Sequence, residues 1–261
     1  MNRQIAVGCA LLGLMFAIAG AIYLSWPAPR VEIPVEREKS LQPPSVQPGA
    51  ECLLHALPAR VWPIFPARLR DATVRVRLDR NGRGAVAGTG VVLQPYKELA
   101  PVLTAGHIFA HPGVAKVVFP HGTVLAQVLA TQMGDMDLAL LAIPATLDMA
   151  YAVVADKPSP PLAAVWSLGY SDLRKNPPEA RVRVGNIDKH WYGSMWHYTF
   201  IPQAGDAGAG IFRQDDHKLI GVVSTGIIDL CGATGREGIW KFLQDPKISK
   251  VFPHLPGGQK W

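Results

Sequence analysis

From Ala72 onward, apolar and polar residues alternate over short stretches, and this period of two is that of half-buried β-strands. Turn-forming pairs such as Asn81-Gly82 and Pro112-Gly113 separate the stretches. The first set of predicted strands is Ala72–Leu78, Val86–Leu93, Val102–Ala105, Ala115–Phe119, Val124–Leu129 and Leu138–Ile143. The pattern predicts a first antiparallel unit over about 72–145, which a proline-rich connector, Asp156–Pro161, separates from a second group of strands.

The second group lies after the connector. It comprises Ala164–Leu168, Ala180–Ile187, Trp196–Pro202, Gly210–Arg213 and Lys218–Gly226. Two groups of about six strands favour two packed antiparallel β-barrels, the second over about 162–230. Gly238–Lys250 has a helical pattern that ends before Pro253. The predicted fold class is therefore all-β, with two barrels and a C-terminal helix over about 238–250.

The N-terminal end of the chain has a different pattern. Ile5–Trp26 is a run of 22 residues without a charge, long enough to cross a hydrocarbon core of about 30 Å as a helix. We expect an N-terminal transmembrane helix, an uncleaved signal anchor within residues 1–26, with a cleaved signal peptide as the alternative. The tail before this run is very short, which favours a single-pass membrane protein whose large domain lies outside the cytoplasm.

A spacer separates this apolar run from the strands. Pro27–Gly49 contains six prolines and no aromatic residue, a composition typical of extended linkers. Glu51–Arg70 is richer in apolar residues, and we expect it to pack against the folded domain. The predicted organisation is a membrane segment at 1–26, a linker at 27–50 and a folded domain at 51–261.

The net charge of +6 does not by itself indicate a nucleic-acid partner. The basic residues are scattered, and Arg75 and Arg77 alternate with Val74, Val76 and Leu78, as on the solvated face of a strand. A groove for single-stranded nucleic acid combines basic with aromatic side chains, and none are interleaved here. We therefore expect no nucleic-acid partner.

Three cysteines are present: Cys9 in the apolar run, Cys52 and Cys231. Cys52 and Cys231 are candidates for a disulfide in an exported domain, and the pairing stays open because it depends on the separation of their Cα atoms. The sequence has no Cys-x-x-Cys pair and no His/Cys cluster, so it predicts no metal site.

Four short motifs occur in succession along the predicted strands. Thr104–His107 ends a strand with a histidine, and Asp137–Leu141 opens an apolar strand with an aspartate. Gly205–Gly210 is a glycine-rich loop, and Ile220–Gly226 is the next strand after it. In this order the motifs resemble those of trypsin-like serine proteases, over about Ala72–Leu243. The resemblance implies the two-barrel fold and the hydrolysis of peptide bonds.

One residue departs from the family pattern: Ala207 occupies the position of the nucleophilic serine, and an alanine methyl cannot attack a carbonyl. The resemblance makes His107 the base and Asp137 the carboxylate that orients it. Asp135 competes for the second role, but Asp137 directly precedes the apolar run. The backbone N–H groups of Gly205 and Ala207 match the oxyanion hole, which needs no side chain. This chemistry requires no cofactor.

The resemblance also implies a cleft for a polypeptide. Ser224, Thr225 and Gly226 match the strand edge that pairs with an extended substrate. The floor of the primary pocket falls near Ile201, and no acidic residue is present there. A small or apolar substrate side chain is therefore the expected preference.

Asp206 matches the family aspartate that, in digestive members, pairs with a newly cleaved N-terminus. No Ile-Val-Gly-Gly-like start occurs near Arg70. Asp206 must therefore have another partner in this chain, and activation by N-terminal cleavage is not expected.

Ala207 leaves two explanations open. Either it replaces a native serine in a membrane-anchored serine endopeptidase, or it belongs to a natural pseudoprotease whose cleft only binds polypeptide. The presence of both His107 and Asp137 favours the first, because a decayed site has no evident need for both. A third and more remote class is an exported interaction domain whose motifs match by chance. As written, the chain is expected to be catalytically inactive.

Overall fold

The computed structural model describes residues 65–82, 84–170, 181–192, 195–227 and 230–256. All of them belong to the unit Val61–Trp261, and the other unit, Met1–Arg60, lies outside the described residues. The expected membrane segment, the linker and Cys52, one half of the candidate Cys52–Cys231 pair, therefore also lie outside them. In the described ranges, no helix combines the length and hydropathy that a membrane span needs.

The first group of strands forms one antiparallel sheet. Its strands are β1 (Thr73–Asp79), β2 (Ala85–Val92), β3 (Leu99–Thr104), β4 (Val114–Phe119), β5 (Gly122–Leu125), β6 (Gln127–Gln132) and β7 (Leu138–Pro144). Their spatial order is β5-β4-β1-β2-β3-β7-β6. The end strands β5 and β6 do not pair with each other, so the first of the two predicted barrels is a half-barrel sheet.

The second group of strands closes completely. It contains β8 (Ala164–Gly169), β9 (Arg181–Tyr192), β10 (Met195–Tyr198), β11 (Gly210–Arg213), β12 (Leu219–Ile227) and β13 (Leu230–Gly235). Their cyclic order is β10-β13-β12-β11-β8-β9. The predicted all-β class, with two antiparallel units in sequence, is thus confirmed.

In the part of the chain that the structure describes, four short helical segments accompany the strands. They are α1 (Ala67–Asp71), a 3₁₀ turn (Gly106–Phe109), α2 (Arg236–Leu243) and α3 (Pro246–Val251). The prediction of a single C-terminal helix over Gly238–Lys250 is wrong, because the helix is interrupted at Asp245 and two short helices form instead. The backbone of Asp245 is extended, as favoured before a proline, and its side chain caps α3 by accepting from Lys247 N–H at 2.8 Å.

Several strand boundaries also differ from the sequence prediction, and one strand was not predicted. The stretch Val124–Leu129 is two strands, because the chain turns at Ala126 from pairing with β4 to pairing with β7. The strand predicted at Trp196–Pro202 ends at Tyr198. Strand β13 was not predicted, since its glycines interrupt any alternation. Gly235 is needed there because a Cβ would lie 2.4 Å from the Trp196 ring.

One buried cluster joins the two β units and the helices. Phe65 is 6% exposed and packs edge-on against Trp166, with ring centroids 5.5 Å apart, and against Phe212 at 6.2 Å. Leu69 of α1 is 1% exposed in the same cluster. The end of Glu51–Arg70 therefore packs against the domain as expected, and the rest of that segment lies outside the described residues.

Candidate active site

The ends of two neighbouring strands bring His107 and Asp137 together. His107 lies in the 3₁₀ turn after β3, and Asp137 immediately precedes β7. Strands β3 and β7 pair antiparallel, with Thr104 opposite Ala139, so the end of one meets the start of the other. Gly106 permits this approach, because a Cβ there would lie 2.5 Å from the Gln132 carbonyl oxygen.

Asp137 is the centre of a hydrogen-bond network in which both carboxylate oxygens and the backbone N–H have partners. Its Oδ2 lies 2.6 Å from His107 Nδ1 and accepts from Ser224 Oγ at 2.5 Å. Its Oδ1 accepts from the His107 backbone N–H at 2.7 Å. Its own N–H donates to Thr234 Oγ1 at 3.2 Å. A carboxylate held this way fixes both the position and the tautomer of the imidazole.

The network shifts the pKa values of both groups. The hydrogen bond to Asp137 raises the pKa of His107 above its ordinary value, against the opposing effect of partial burial. Burial would raise the pKa of Asp137, but the hydrogen bonds from His107 and Ser224 outweigh it and hold that pKa below the ordinary value. The pair is therefore an ionised carboxylate beside a basic imidazole.

The glycine-rich loop around Ala207 has two residues in the left-handed region. Gly205 has φ +97° and Gly208 has φ +86°, conformations that glycine adopts without strain. The N–H of Asp206 donates to Gln203 O at 2.9 Å and that of Gly208 to Val223 O at 2.7 Å. Among the described residues, the amides of Gly205 and Ala207 have no acceptor. These two N–H groups are therefore available to a ligand oxygen.

Asp206 has a partner other than a chain terminus. Its Oδ2 accepts from Arg183 Nε at 2.7 Å and from the Gln203 N–H at 2.8 Å. The side chain is 3% exposed, and that of Arg183, on β9, is 17% exposed. Gly169 leaves room for the carboxylate, because a Cβ there would lie 2.4 Å from Asp206 Oδ1. The expectation that Asp206 is paired within the chain agrees with this geometry.

A cleft of about 330 Å³ brings together four of the sequence-predicted site residues: His107, Gly205, Ala207 and Ser224. Its lining residues are Ala87, His107, Pro202, Gln203, Ala204, Gly205, Ala207, Val223 and Ser224. A larger cavity of about 900 Å³, near Phe119 and Tyr170, contains none of them. The smaller cleft, and not the larger cavity, is therefore the candidate active site.

Some predicted residues lie differently from expectation. Ile201 is 58% exposed and does not line the cleft, because strand β10 ends at Tyr198 and Ile201 lies in the irregular segment after it. Ser224 directs its hydroxyl to Asp137 rather than to the strand edge. Thr225 and Gly226 continue β12, where they pair with β13. The competing Asp135 is exposed and does not line the cleft.

Sequence reasoning missed three residues that support the site: Thr89, Arg183 and Thr234. Arg183 is one of several arginines in an alternating strand, and Thr234 lies in the unpredicted β13, so neither gave a signal. Thr89 is flanked by Gly88 and Gly90, a pattern that indicates close backbone approach. Within the described ranges, no group of three His, Cys, Asp or Glu side chains is placed to hold a metal ion.

No protein-family model and no curated protein matches this chain. Its fold does match solved structures. A serine endoprotease from Yersinia pestis superposes with a TM-score of 0.59 at 17% identity, over 70% of this chain and 65% of that chain, which is just under two thirds. The active form of the Rv3671c protease from M. tuberculosis gives 0.58 at 20% identity, over 68% of this chain and 81% of that one.

A serine-to-alanine mutant of Rv3671c, in an inactive form, gives a TM-score of 0.55 at 21% identity, over 68% of this chain and 87% of that one. At these identities the likeness concerns the fold alone. The fold of this chain is therefore that of the trypsin-like serine proteases.

Proposed function

We propose that this domain is a serine-endopeptidase scaffold that holds an extended polypeptide in the cleft of about 330 Å³. The observation that carries the proposal is the 2.6 Å contact of His107 with Asp137, in a cleft that Ala207 also lines. Every part of the hydrolytic site except the nucleophile has a candidate. As written, the chain binds polypeptide without cleaving it.

The geometry supports a defined route once a hydroxyl replaces the Ala207 methyl. Asp137 accepts the Nδ1–H of His107, so Nε2 carries the free lone pair and acts as the base. The hydroxyl oxygen attacks the scissile carbonyl carbon while its proton passes to Nε2. The oxyanion accepts from the N–H groups of Gly205 and Ala207. His107 then returns the proton to the leaving amine, and water hydrolyses the acyl ester by the same route.

The edge of β12 is the proposed docking strand for the polypeptide. Strand β12 pairs with β11 only as far as Val222, and with β13 from Gly221 to Ile227. Beyond Val223, the edge facing away from β13 has no strand partner among the described residues. Thr225 and Gly226 therefore present backbone groups for pairing with an extended chain. Because Ile201 is exposed, the primary pocket is proposed to use Pro202, Gln203 and Ala204 instead.

The test is the variant Ala207→Ser. We expect it to cleave a casein-type substrate and to be labelled by a fluorophosphonate probe, while the parent chain does neither. Ala204→Ser is the matched control, because it adds a hydroxyl to the same cleft away from the nucleophile position. Removing the base with His107→Ala in the Ala207→Ser variant should abolish both signals. Absence of labelling and cleavage by Ala207→Ser would overturn the endopeptidase proposal.

A second candidate function is a natural pseudoprotease that acts as a peptide-binding module, and Ala207 itself is the observation that favours it. The parent chain would then bind extended peptides, and its affinity for them would decrease in variants that displace the backbone amides of Gly205 and Ala207. Fluorescence anisotropy with labelled casein peptides measures this binding. Binding by the parent, combined with an inactive Ala207→Ser variant, selects this function over the first.

We further propose that residues 5–26 anchor the protein in a membrane, as a single pass with the domain outside the cytoplasm. The uncharged run Ile5–Trp26 and the proline-rich linker after it support this arrangement. The partners would then be polypeptides close to the membrane.

A further inference from the structure

A single residue of the first sheet contacts the candidate oxyanion loop at two points. The backbone N–H of Thr89, on β2, donates to the Ala207 carbonyl at 2.8 Å. The Thr89 hydroxyl donates to the Gly205 carbonyl, also at 2.8 Å. Thr89 is fully buried. One side chain thus links the half-barrel to the loop of the second barrel that carries the nucleophile position.

The direction of the Thr89 hydroxyl is set by a further partner. Its oxygen accepts from the Tyr170 backbone N–H at 2.9 Å, and a hydroxyl has one proton to donate. That proton therefore goes to the Gly205 carbonyl. The Thr89 carbonyl in turn accepts from Thr104 Oγ1 at 2.6 Å. Buried networks in which each group is paired hold their members in one arrangement.

The loop also packs against this strand without intervening side chains. A Cβ on Gly208 would lie 2.0 Å from the Thr89 carbonyl oxygen and 2.3 Å from Thr104 Oγ1. A Cβ on Gly88 would lie 2.6 Å from the Ala207 carbonyl oxygen. The contact is therefore backbone to backbone, and the loop has no space to shift toward β2.

These contacts fix the two peptide groups on either side of the Ala207 amide. The Gly205–Asp206 peptide is held at its carbonyl by Thr89 and at its N–H by Gln203 O. The Ala207–Gly208 peptide is held at its carbonyl by Thr89 and at its N–H by Val223 O. Because peptide groups are planar, the Asp206–Ala207 peptide between them has little freedom to rotate.

We propose that Thr89 is a positioning residue that aims the Gly205 and Ala207 amides at a bound carbonyl oxygen. The inference rests on the proposed function, which gives these amides their role. It adds that the donor geometry of one barrel depends on a hydroxyl of the other β unit. Preorganised donors of this kind stabilise charge without rearranging during the reaction.

The experiment compares Thr89→Val, which keeps the shape but lacks the hydroxyl, with Thr89→Ser, which keeps the hydroxyl. In the Ala207→Ser background we expect Thr89→Val to lower kcat by about 10- to 100-fold with little change in KM. Thr89→Ser should keep kcat within about threefold of the value for Ala207→Ser alone. Thr73→Val is the matched control, because Thr73 is equally buried and its hydroxyl donates to Leu69 O, away from the loop.

A second readout does not depend on activity. In the parent Ala207 chain, the ¹H–¹⁵N signals of the Gly205 and Ala207 amides should shift in Thr89→Val and remain in place in Thr89→Ser and Thr73→Val. If Thr89→Val does not fold, Thr89→Ala removes the same hydroxyl with a smaller side chain. An inactive Ala207→Ser variant with the expected amide shifts would overturn only the proposed function. Unchanged amide signals and unchanged kcat in Thr89→Val would overturn the positioning role.

Discussion

At the scale of single residues, the proposed chemistry of the candidate site depends on the pair His107 and Asp137. The carboxylate raises the pKa of His107, so protonation of His107 favours the folded state. That contribution is complete below the ordinary histidine pKa of about 6.5 and is lost as the pH rises through the higher folded value. Asp137 stays ionised over the pH range in which His107 titrates, because the pKa of Asp137 is itself lowered.

We predict that Asp137→Asn lowers the pKa of His107 and destabilises the protein more at pH 5 than at pH 9. An NMR titration of His107 in the parent chain should give an inflection above about 6.5, and one at a lower pH in Asp137→Asn. Asp135→Asn is the control, since that carboxylate is exposed and should leave the His107 inflection in place. Equal inflections in the parent and in Asp137→Asn would contradict the assignment of the pair.

The same pair sets the pH dependence of any restored activity. His107 acts as a base only when neutral, so the activity of Ala207→Ser should rise as the pH passes through the raised pKa of His107.

At the scale of elements, the loop from Gly205 to Gly208 is held from two sides. Thr89 holds it from β2, and Arg183 of β9 holds the Asp206 carboxylate at 2.7 Å. Through this second contact, the Asp206 carboxylate has a charged partner within the chain. The loop conformation in this chain therefore depends on an internal arginine.

We predict that Arg183→Met destabilises the domain by about 3 kcal/mol, because it leaves the buried Asp206 carboxylate without its charged partner. Urea unfolding of the parent chain and the variant measures this difference. Arg181→Met is the matched control on the same strand; Arg181 is exposed, and we expect a change within about 0.5 kcal/mol. Equal losses in the two variants would show that the Arg183–Asp206 pair contributes no special stability.

The strands and helices differ in how far the sequence predicts them. Most strands were located by alternation, because each buries one face, as Val74, Val76 and Leu78 of β1 do. Alternation does not indicate which strand a given strand pairs with, so it does not predict the turn at Ala126, where the chain changes from pairing with β4 to pairing with β7. The break between α2 and α3 coincides with Asp245-Pro246, a capping residue before a proline, which is a sequence signal for a new helix start.

The candidate site divides in a similar way. His107, Asp137 and Ala207 were identified because each lies in a short motif on its own segment. Thr89 and Arg183 act through contacts between segments that are far apart in the sequence, and such contacts depend on the packing of the two β units. Ile201 was placed by counting residues from the nucleophile position; it lies exposed outside the cleft lining, because the chain leaves β10 at Tyr198.

At the scale of the whole molecule, the cleft lies where the two β units meet. Its lining includes Ala87 of β2 and Val223 of β12. Phe65 packs against Trp166 and Phe212 in the cluster that the two units share. Phe65 thus belongs to the core of this unit, and the linker and apolar run at the N-terminal end of the chain are proposed to be a tether.

A spacer with the composition of residues 27–50 extends by about 3.1 Å per residue, so it would hold the domain up to roughly 70 Å from a bilayer. A single transmembrane span binds a membrane far more firmly than an interfacial helix does.

We therefore predict that the full chain stays in the membrane pellet after alkaline carbonate extraction, and that a chain starting at Ala50 is found in the supernatant. Replacing Leu14 and Ile18 with arginine is the control within the full chain, since charges at the centre of a span oppose its insertion. Recovery of a mature N-terminus beyond Trp26 would show instead that the apolar run is a cleaved signal peptide, and the domain would then act on polypeptides without confinement to a membrane.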